Sequence, residues 1–150
     1  MQNDTIEIVR LEAMRVARAW DFGQNPEALA WQKLTAFAGP RGLLDAEARI
    51  YGFNNPNPAV GSPNYGYEYW IVVGQAVTPT EGVEIIDAAG GLYAVLHADV
   101  TGDYGVTIPA AWQRLDSWVA ASPHRPGMHQ WLEAHTHTGT PVAFYYPLAE

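Results

Sequence analysis

Two glutamates stand next to tryptophans in segments that have strand-like patterns. Because side chains alternate along a strand, Glu68 and Trp70 share one face of their segment, and Trp131 and Glu133 share one face of theirs. Aromatic rings bind flat apolar molecules through dispersion and cations through their π faces, and a carboxylate adds countercharge. The pattern therefore predicts a site for a flat ligand that is apolar or positively charged.

Two further aromatic residues, Tyr51 and Phe53, alternate in the same way in RIYGFN. If helices cover one face of a sheet, these large side chains would line a cleft on the other face, together with the two glutamate–tryptophan pairs. The alternative is structural: Trp70 packs in a core and Glu68 accepts hydrogen bonds from tyrosine hydroxyls. The sequence leaves both interpretations open.

The same carboxylates are the candidates for catalysis. A desolvated glutamate, Glu68 or Glu133, can activate water or protonate a leaving group, with a tyrosine hydroxyl assisting. Other catalytic patterns are missing, since the chain has no cysteine and no GxSxG, GxGxxG or phosphate-loop motif. We expect no cofactor.

A metal site is not predicted either. His135 and His137 lie two residues apart with Glu133 beside them, but three ligands from one short strand cannot surround an ion. The remaining histidines have no recognisable metal-ligand spacing.

The chain contains two copies of one pattern. Ala17 in MRVARAW matches Ala94 in GLYAVLHA at an offset of 77 residues, and AWQKL at 30–34 matches AWQRL at 111–115 at an offset of 81. Flanking strand-like segments occur in the same order around both matches. We therefore predict an internal duplication within a single domain spanning residues 1–150.

Each copy is predicted to contain a strand, a helix and two further strands. Asn25 caps the first helix, Pro26 lies in its first turn and Gly39 ends it; the second helix follows Thr107 and ends at Ser122. The pseudo-repeats cover about 5–76 and 82–148, and the strands after the helices are 49–54 and 65–73 in the first copy and 129–137 and 141–147 in the second. The fold class is α+β: duplicated βαββ units form an antiparallel sheet with two helices on one face and a ligand cleft on the other.

The net charge and the hydropathy of the chain limit the classes of partner that we expect it to bind. Eight basic and 16 acidic residues give a net charge of −8, which disfavours direct nucleic-acid binding and suits a cationic or apolar partner. There is no apolar run long enough to cross a membrane and no signal-peptide pattern, so we expect a cytoplasmic protein without a membrane partner.

The order of motifs is similar to a known family. RIYGFNNPNP, YGYEYWIVV, GGLYAVLHA and IPAAWQRLDSWV, with the final YYPLAE, resemble the GyrI-like small-molecule-binding domain, over about residues 5–147. This domain is the effector-binding module of AraC- and MerR-type bacterial transcription activators, and its fold is related to the SOUL haem-binding fold. The resemblance implies a duplicated βαββ unit with a cleft between its halves.

The resemblance also implies a function. In drug-sensing relatives a buried glutamate among aromatics engages hydrophobic cations, and here Glu68 and Glu133 are the candidates for that residue. With no room for a helix-turn-helix domain, the chain is expected to be a stand-alone small-molecule binder of multidrug type, and a separate regulatory protein is a candidate partner. Two alternatives remain: a hydrolase of reactive small molecules such as cyclopropane-containing toxins, using a Glu and a Tyr, and a protein inhibitor of the gyrase-inhibitor type.

Overall fold

The computed structural model describes residues 5–150, which form eight strands and two helices. The predicted α+β class is confirmed, and the strand pairs are antiparallel. The helices are α1 (Pro26–Ala38) and α2 (Tyr104–Ala121). The strands are β1 (Thr5–Leu11), β2 (Met14–Gly23), β3 (Ile50–Asn54), β4 (Tyr65–Val72), β5 (Val83–Ala88), β6 (Gly91–His97), β7 (Leu132–His135) and β8 (Pro141–Leu148).

Helix α1 has the predicted limits, but the side chain of Asn25 makes no capping hydrogen bond. Helix α2 begins earlier than predicted. In α2 the side chain of Asp103 accepts a hydrogen bond from the backbone N–H of Gly105 at 2.9 Å, so Asp103 and not Thr107 is the cap. Pro109 therefore lies inside the helix instead of in its first turn. The predicted start was wrong because Asp103 satisfies one of the free N–H groups at the helix start, about one turn before Thr107.

Strand β7 is much shorter than the predicted segment 129–137. The carbonyl oxygen of Gln130 accepts a hydrogen bond from the hydroxyl of Tyr93 at 2.6 Å, and the imidazole of His129 bonds the carbonyl oxygen of Leu92 at 2.7 Å. Side chains thus hold residues 129–130 against β6 in place of a regular strand ladder. The regular strand therefore begins only after Trp131.

The chain divides into two compact units. The α1 unit comprises Met14–Ala88 and His135–Thr140, and its strands lie in the order β3-β4-β2-β5. Helix α1 packs on one face of these strands, where it forms a core with Ala17, Ala19, Tyr67, Tyr69 and Ile71.

The α2 unit comprises residues 5–13, Ala89–Ala134 and Pro141–Glu150. Its strands lie in the order β7-β8-β6-β1, the counterpart of the order in the α1 unit. Helix α2 packs on the face that carries Ala94, Leu96, Phe144 and Tyr146.

Matching residues occupy matching places in the two units. In the α1 unit Trp31 lies with its ring centroid 5.2 Å from that of Tyr69, which pairs with Ala19. In the α2 unit the ring centroids of Trp112 and Phe144 are 5.4 Å apart, and Phe144 pairs with Leu96. Leu96 lies 77 positions after Ala19, which is the offset of the predicted repeat. Strand β1, from the first repeat, pairs with β6 in the α2 unit. Strand β5, from the second repeat, pairs with β2 in the α1 unit. Each repeat therefore contributes its first strand to the unit that contains the helix of the other repeat. These correspondences support the duplication, which stays a prediction.

Candidate functional site

The strands of the α1 unit carry an aromatic face on the side opposite helix α1. Because Ile50, Tyr67, Tyr69 and Ile71 belong to the core under the helix, the alternating residues of β3 and β4 lie on the other face. The structure brings together there four of the residues predicted for the site: Tyr51, Phe53, Glu68 and Trp70.

The four side chains are paired across the strands and are buried. Tyr51 lies directly opposite Trp70, and Phe53 lies directly opposite Glu68. The rings of Phe53 and Trp70 meet edge to face with centroids 4.9 Å apart. Arg49 completes the group, since its Nη2 lies 3.2 Å from the hydroxyl oxygen of Tyr51.

Glu68 is the only buried charged residue within the described chain, with 3% of its surface exposed. Its Oε1 accepts hydrogen bonds from Nη2 of Arg18 at 2.8 Å and from Nδ2 of Asn55 at 3.1 Å. Its Oε2 accepts from Nε of Arg18 at 3.0 Å and from Nε1 of Trp70 at 2.6 Å. The structural alternative named tyrosine hydroxyls as donors to this carboxylate, and that detail was wrong.

These donors determine the charge of Glu68. Burial alone raises the pKa of its carboxyl group, and it is the largest single influence. The hydrogen bonds from Arg18, Trp70 and Asn55, together with the charge of Arg18, outweigh burial and lower the pKa below its ordinary value. Glu68 is therefore ionised at neutral pH.

Arg18 is shared between two carboxylates. It stands directly opposite Glu84 on β5, and its Nη1 lies 3.3 Å from Oε1 of Glu84. The Arg18 side chain is 25% exposed and that of Glu84 is 70% exposed. One positive and two negative groups leave this cluster with a formal charge of −1. Hydrogen bonding with Glu68 is the main reason why the pKa of Arg18 is raised, so the guanidinium stays charged.

The aromatic face continues into solvent at the end of β2. Trp20 is 39% exposed and Phe22 is 47% exposed, and their rings stack with centroids 6.4 Å apart. Trp20 stands directly opposite Glu68 and donates its Nε1 hydrogen to the carbonyl oxygen of Asn55 at 2.6 Å. Exposed aromatic rings beside the buried carboxylate of Glu68 are suited to stacking on a flat ligand.

Sequence reasoning missed Trp20, Phe22, Arg18 and Glu84. Alternation in MRVARAWDFG does place Arg18, Trp20 and Phe22 on one face of β2. Their proximity to Glu68, however, depends on the pairing of β2 with β4, which no local pattern specifies.

The other two predicted site residues lie elsewhere. Trp131, which precedes β7, packs with its ring centroid 5.3 Å from Trp112 of α2 and 4.2 Å from Tyr146 of β8. Oε2 of Glu133 accepts a hydrogen bond from Nε1 of Trp112 at 3.1 Å. Trp131 and Glu133 therefore belong to the helix-facing side of the α2 unit and not to the aromatic face.

The histidines near β7 do not form a metal centre. Within residues 5–150 no group of three or more His, Cys, Asp or Glu side chains is arranged to hold a metal ion. His137 is exposed, whereas His135 packs edge to face against Tyr69 at 5.1 Å between centroids. Burial lowers the pKa of His135 to about 4, which keeps its ring neutral.

Within residues 5–150, neither helix is both long and apolar enough to cross a membrane.

Comparison with known families gives one extensive match. Residues 4–139 match the model of the GyrI-like small molecule binding domain. A search of curated protein sequences found no match.

Several solved structures share the fold. The C-terminal domain of EcmrR matches with a TM-score of 0.69 and 10% identity, covering 100% of this chain and 99% of that chain. The integron cassette protein VCH_CASS2 from the mobile metagenome of Vibrio cholerae matches with a TM-score of 0.61 and 14% identity, covering 98% and 99%. SAV2435, solved bound to tetraphenylphosphonium, matches with a TM-score of 0.58 and 14% identity, covering 97% and 94%.

Proposed function

We propose, because the chain belongs to the GyrI-like small-molecule binding domain family, that its aromatic face binds a hydrophobic small molecule that carries positive charge. The single observation that supports this most directly is the cluster of Arg18, Glu68 and Glu84 among the aromatic residues of the α1 unit. The neighbour SAV2435 was solved with a hydrophobic cation, which makes the same class of ligand the first one to test.

Aromatic area is the first component of the proposed affinity. Trp20 and Phe22 offer exposed ring surface next to the buried pair of Phe53 and Trp70. A ring that covers a cation contributes about 0.5–2 kcal/mol, with the larger values where water is excluded. Stacking alone would favour neutral and cationic aromatic ligands alike.

Charge is the second component, and it provides selectivity. The shared guanidinium of Arg18 neutralises only one of its two carboxylates, so the cluster of Arg18, Glu68 and Glu84 keeps a formal charge of −1. The other arginine of this face, Arg49, lies beside Tyr51. The attraction between this cluster and a cation is screened by solvent at Glu84, whose side chain is 70% exposed, and is screened less at buried Glu68. A cationic ligand should therefore bind more tightly than a neutral ligand of similar shape.

Titration calorimetry with tetraphenylphosphonium tests this proposal, and triphenylphosphine oxide serves as a neutral compound that keeps three of the phenyl rings. We expect the wild-type protein to prefer the cation. The change Glu68→Gln should weaken cation binding by about 1–3 kcal/mol, the scale of losing a charged partner, and should have little effect on the neutral compound. Glu133→Gln is the matched control, because it removes the same charge outside the aromatic face.

Three outcomes would contradict the proposal. Equal loss for both ligands on Glu68→Gln would assign Glu68 a purely structural role. Loss on Glu133→Gln alone would move the site to the α2 unit. No binding of either compound would remove the aromatic face as a ligand site for hydrophobic cations.

The lowered pKa of Glu68 bears on the hydrolase alternative. A general acid must be protonated before it can donate a proton, and Glu68 is held ionised by Arg18. Acting as a base toward water is the remaining catalytic role for this carboxylate. If the protein converts an electrophilic substrate to product and Glu68→Gln abolishes that activity, the hydrolase is favoured. If it forms a stable complex with another protein while the aromatic face stays empty, the inhibitor is favoured.

A further inference from the structure

We propose that Arg18 is a movable countercharge: a bound cation takes its place beside Glu68, and its guanidinium turns outward to Glu84. This inference rests on the proposed function, because it concerns how the same aromatic face accepts a cation. It makes Glu84, a mostly exposed residue outside the aromatic cluster, a determinant of charge selectivity.

The strand register provides the second position for Arg18. Residues directly opposite each other in antiparallel strands have Cβ atoms about 4.5–5.5 Å apart, and diagonal neighbours lie farther away. Arg18 is directly opposite Glu84 on one side and Trp70 on the other, so it reaches Glu68 along a diagonal. The guanidinium can therefore pair fully with Glu84 by side-chain rotation alone, without movement of β2.

The present contacts indicate the direction of the exchange. Arg18 makes two hydrogen bonds to Glu68, at 2.8 and 3.0 Å, and only one longer contact to Glu84, at 3.3 Å. The side chain of Glu84 is largely exposed and free to adjust around the guanidinium. Without a ligand the pair with Glu68 is the better satisfied one, and a cation at Glu68 reverses that preference.

Glu68 remains in place when Arg18 leaves. Trp70 donates to its Oε2 at 2.6 Å and Asn55 donates to its Oε1 at 3.1 Å, and neither bond involves Arg18. The carboxylate thus keeps two hydrogen bonds and its orientation while it changes its cationic partner. A carboxylate held by Arg18 alone would lose its position in the same exchange.

The test is titration of Glu84→Gln with tetraphenylphosphonium, with Glu81→Gln as the control. Glu81 is also exposed and lies three residues away, outside β5, so its change removes the same net charge. Glu84→Gln should weaken cation binding about three- to fivefold, the size of one partly exposed ion pair. It should leave triphenylphosphine oxide binding unchanged, and Glu81→Gln should change neither affinity by twofold.

A double-mutant cycle separates displacement of Arg18 from direct attraction by Glu84. Arg18→Gln should bind the cation about tenfold more tightly, because no charged pair has to be broken. In that background Glu84→Gln should have no further effect. If Glu84→Gln weakens the cation by the same factor in both backgrounds, Glu84 acts on the ligand directly and the inference is wrong.

The remaining outcomes also decide the question. If Arg18→Gln does not fold, Arg18→Lys replaces it in the cycle, because an ammonium group cannot make the two-bond pair with Glu68 and the effect of Glu84→Gln should shrink. An undiminished effect of Glu84→Gln in that background, or equal effects of Glu84→Gln and Glu81→Gln, overturns the inference. Cation binding that is insensitive to Glu84→Gln refutes the exchange but leaves the proposed function intact. Failure of the wild-type protein to bind the cation refutes the proposed function, and the inference falls with it.

Discussion

Acidification should destabilise this protein through one partly buried side chain, His135. Its Nε2 lies 3.2 Å from the hydroxyl oxygen of Tyr67, and its ring packs edge to face on Tyr69. Its Nδ1 makes no well-formed hydrogen bond, although the backbone of Gly139 slightly favours the protonated ring. Burial dominates and lowers the pKa from 6.5 to about 4, so a proton on this ring is unfavourable in the folded state.

The sign and size of the effect follow from proton linkage. Between pH 6.5 and about 4 the unfolded chain binds a proton at this residue and the folded chain does not, so stability falls as the pH falls through that window. A shift of this size corresponds to roughly 3 kcal/mol once the pH is below both values. Between pH 7 and pH 5 the loss is about 2 kcal/mol.

Urea unfolding at pH 7 and pH 5, followed by tryptophan fluorescence, measures this loss. The change His135→Gln removes the titrating ring, so the variant should lose about 2 kcal/mol less than the wild type between the two pH values. His137→Gln is the control, since that side chain is exposed, and it should show the wild-type loss. The same pH dependence in wild type and His135→Gln would refute this account of the buried ring.

Three further predictions concern stability at neutral pH. Gly66→Ala should cost about 1–3 kcal/mol in urea unfolding, because its Cβ would lie 1.9 Å from a backbone oxygen, whereas a Cβ at Gly74 meets nothing within 4 Å and serves as the control. Asp103→Ala should lower the unfolding free energy by about 1 kcal/mol by removing the cap of α2, and an unchanged melting curve would contradict that role. Arg18→Gln should destabilise by about 3 kcal/mol because it leaves the Glu68 carboxylate without its cation; adding Glu68→Gln should restore part of the loss, and failure to do so would show that packing dominates at Arg18.

Patterns within a short segment of sequence predicted the features that depend on that segment alone. The limits of α1 follow from Pro26 in its first turn and Gly39 after its last, and the shared face of Glu68 and Trp70 follows from alternation along a regular strand. The start of α2 was placed too late, at Thr107, although Asp103 is a recognisable capping residue in the sequence.

The failures around β7 have a different origin. Trp131 and Glu133 share one side, as alternation predicts, but that side faces Trp112 of α2 instead of a cleft. The segment also departs from a regular strand where the hydroxyl of Tyr93, on a strand nearly 40 positions earlier in the chain, binds the carbonyl of Gln130. A tertiary hydrogen bond of this kind overrides local β propensity. No inspection of residues 129–137 alone could have found it.

The chemistry of the site likewise depends on contacts between residues that are far apart in the sequence. From the sequence, a glutamate among aromatic residues suggests an unpaired carboxylate that attracts cations. In the folded chain that carboxylate is already paired, and the pairing comes from Arg18 on β2, 50 residues earlier, through the register of β2 with β4. The charge selectivity that we propose therefore cannot be a property of Glu68 alone. It belongs to three residues on three strands, and it depends on whether Arg18 can leave one carboxylate for the other.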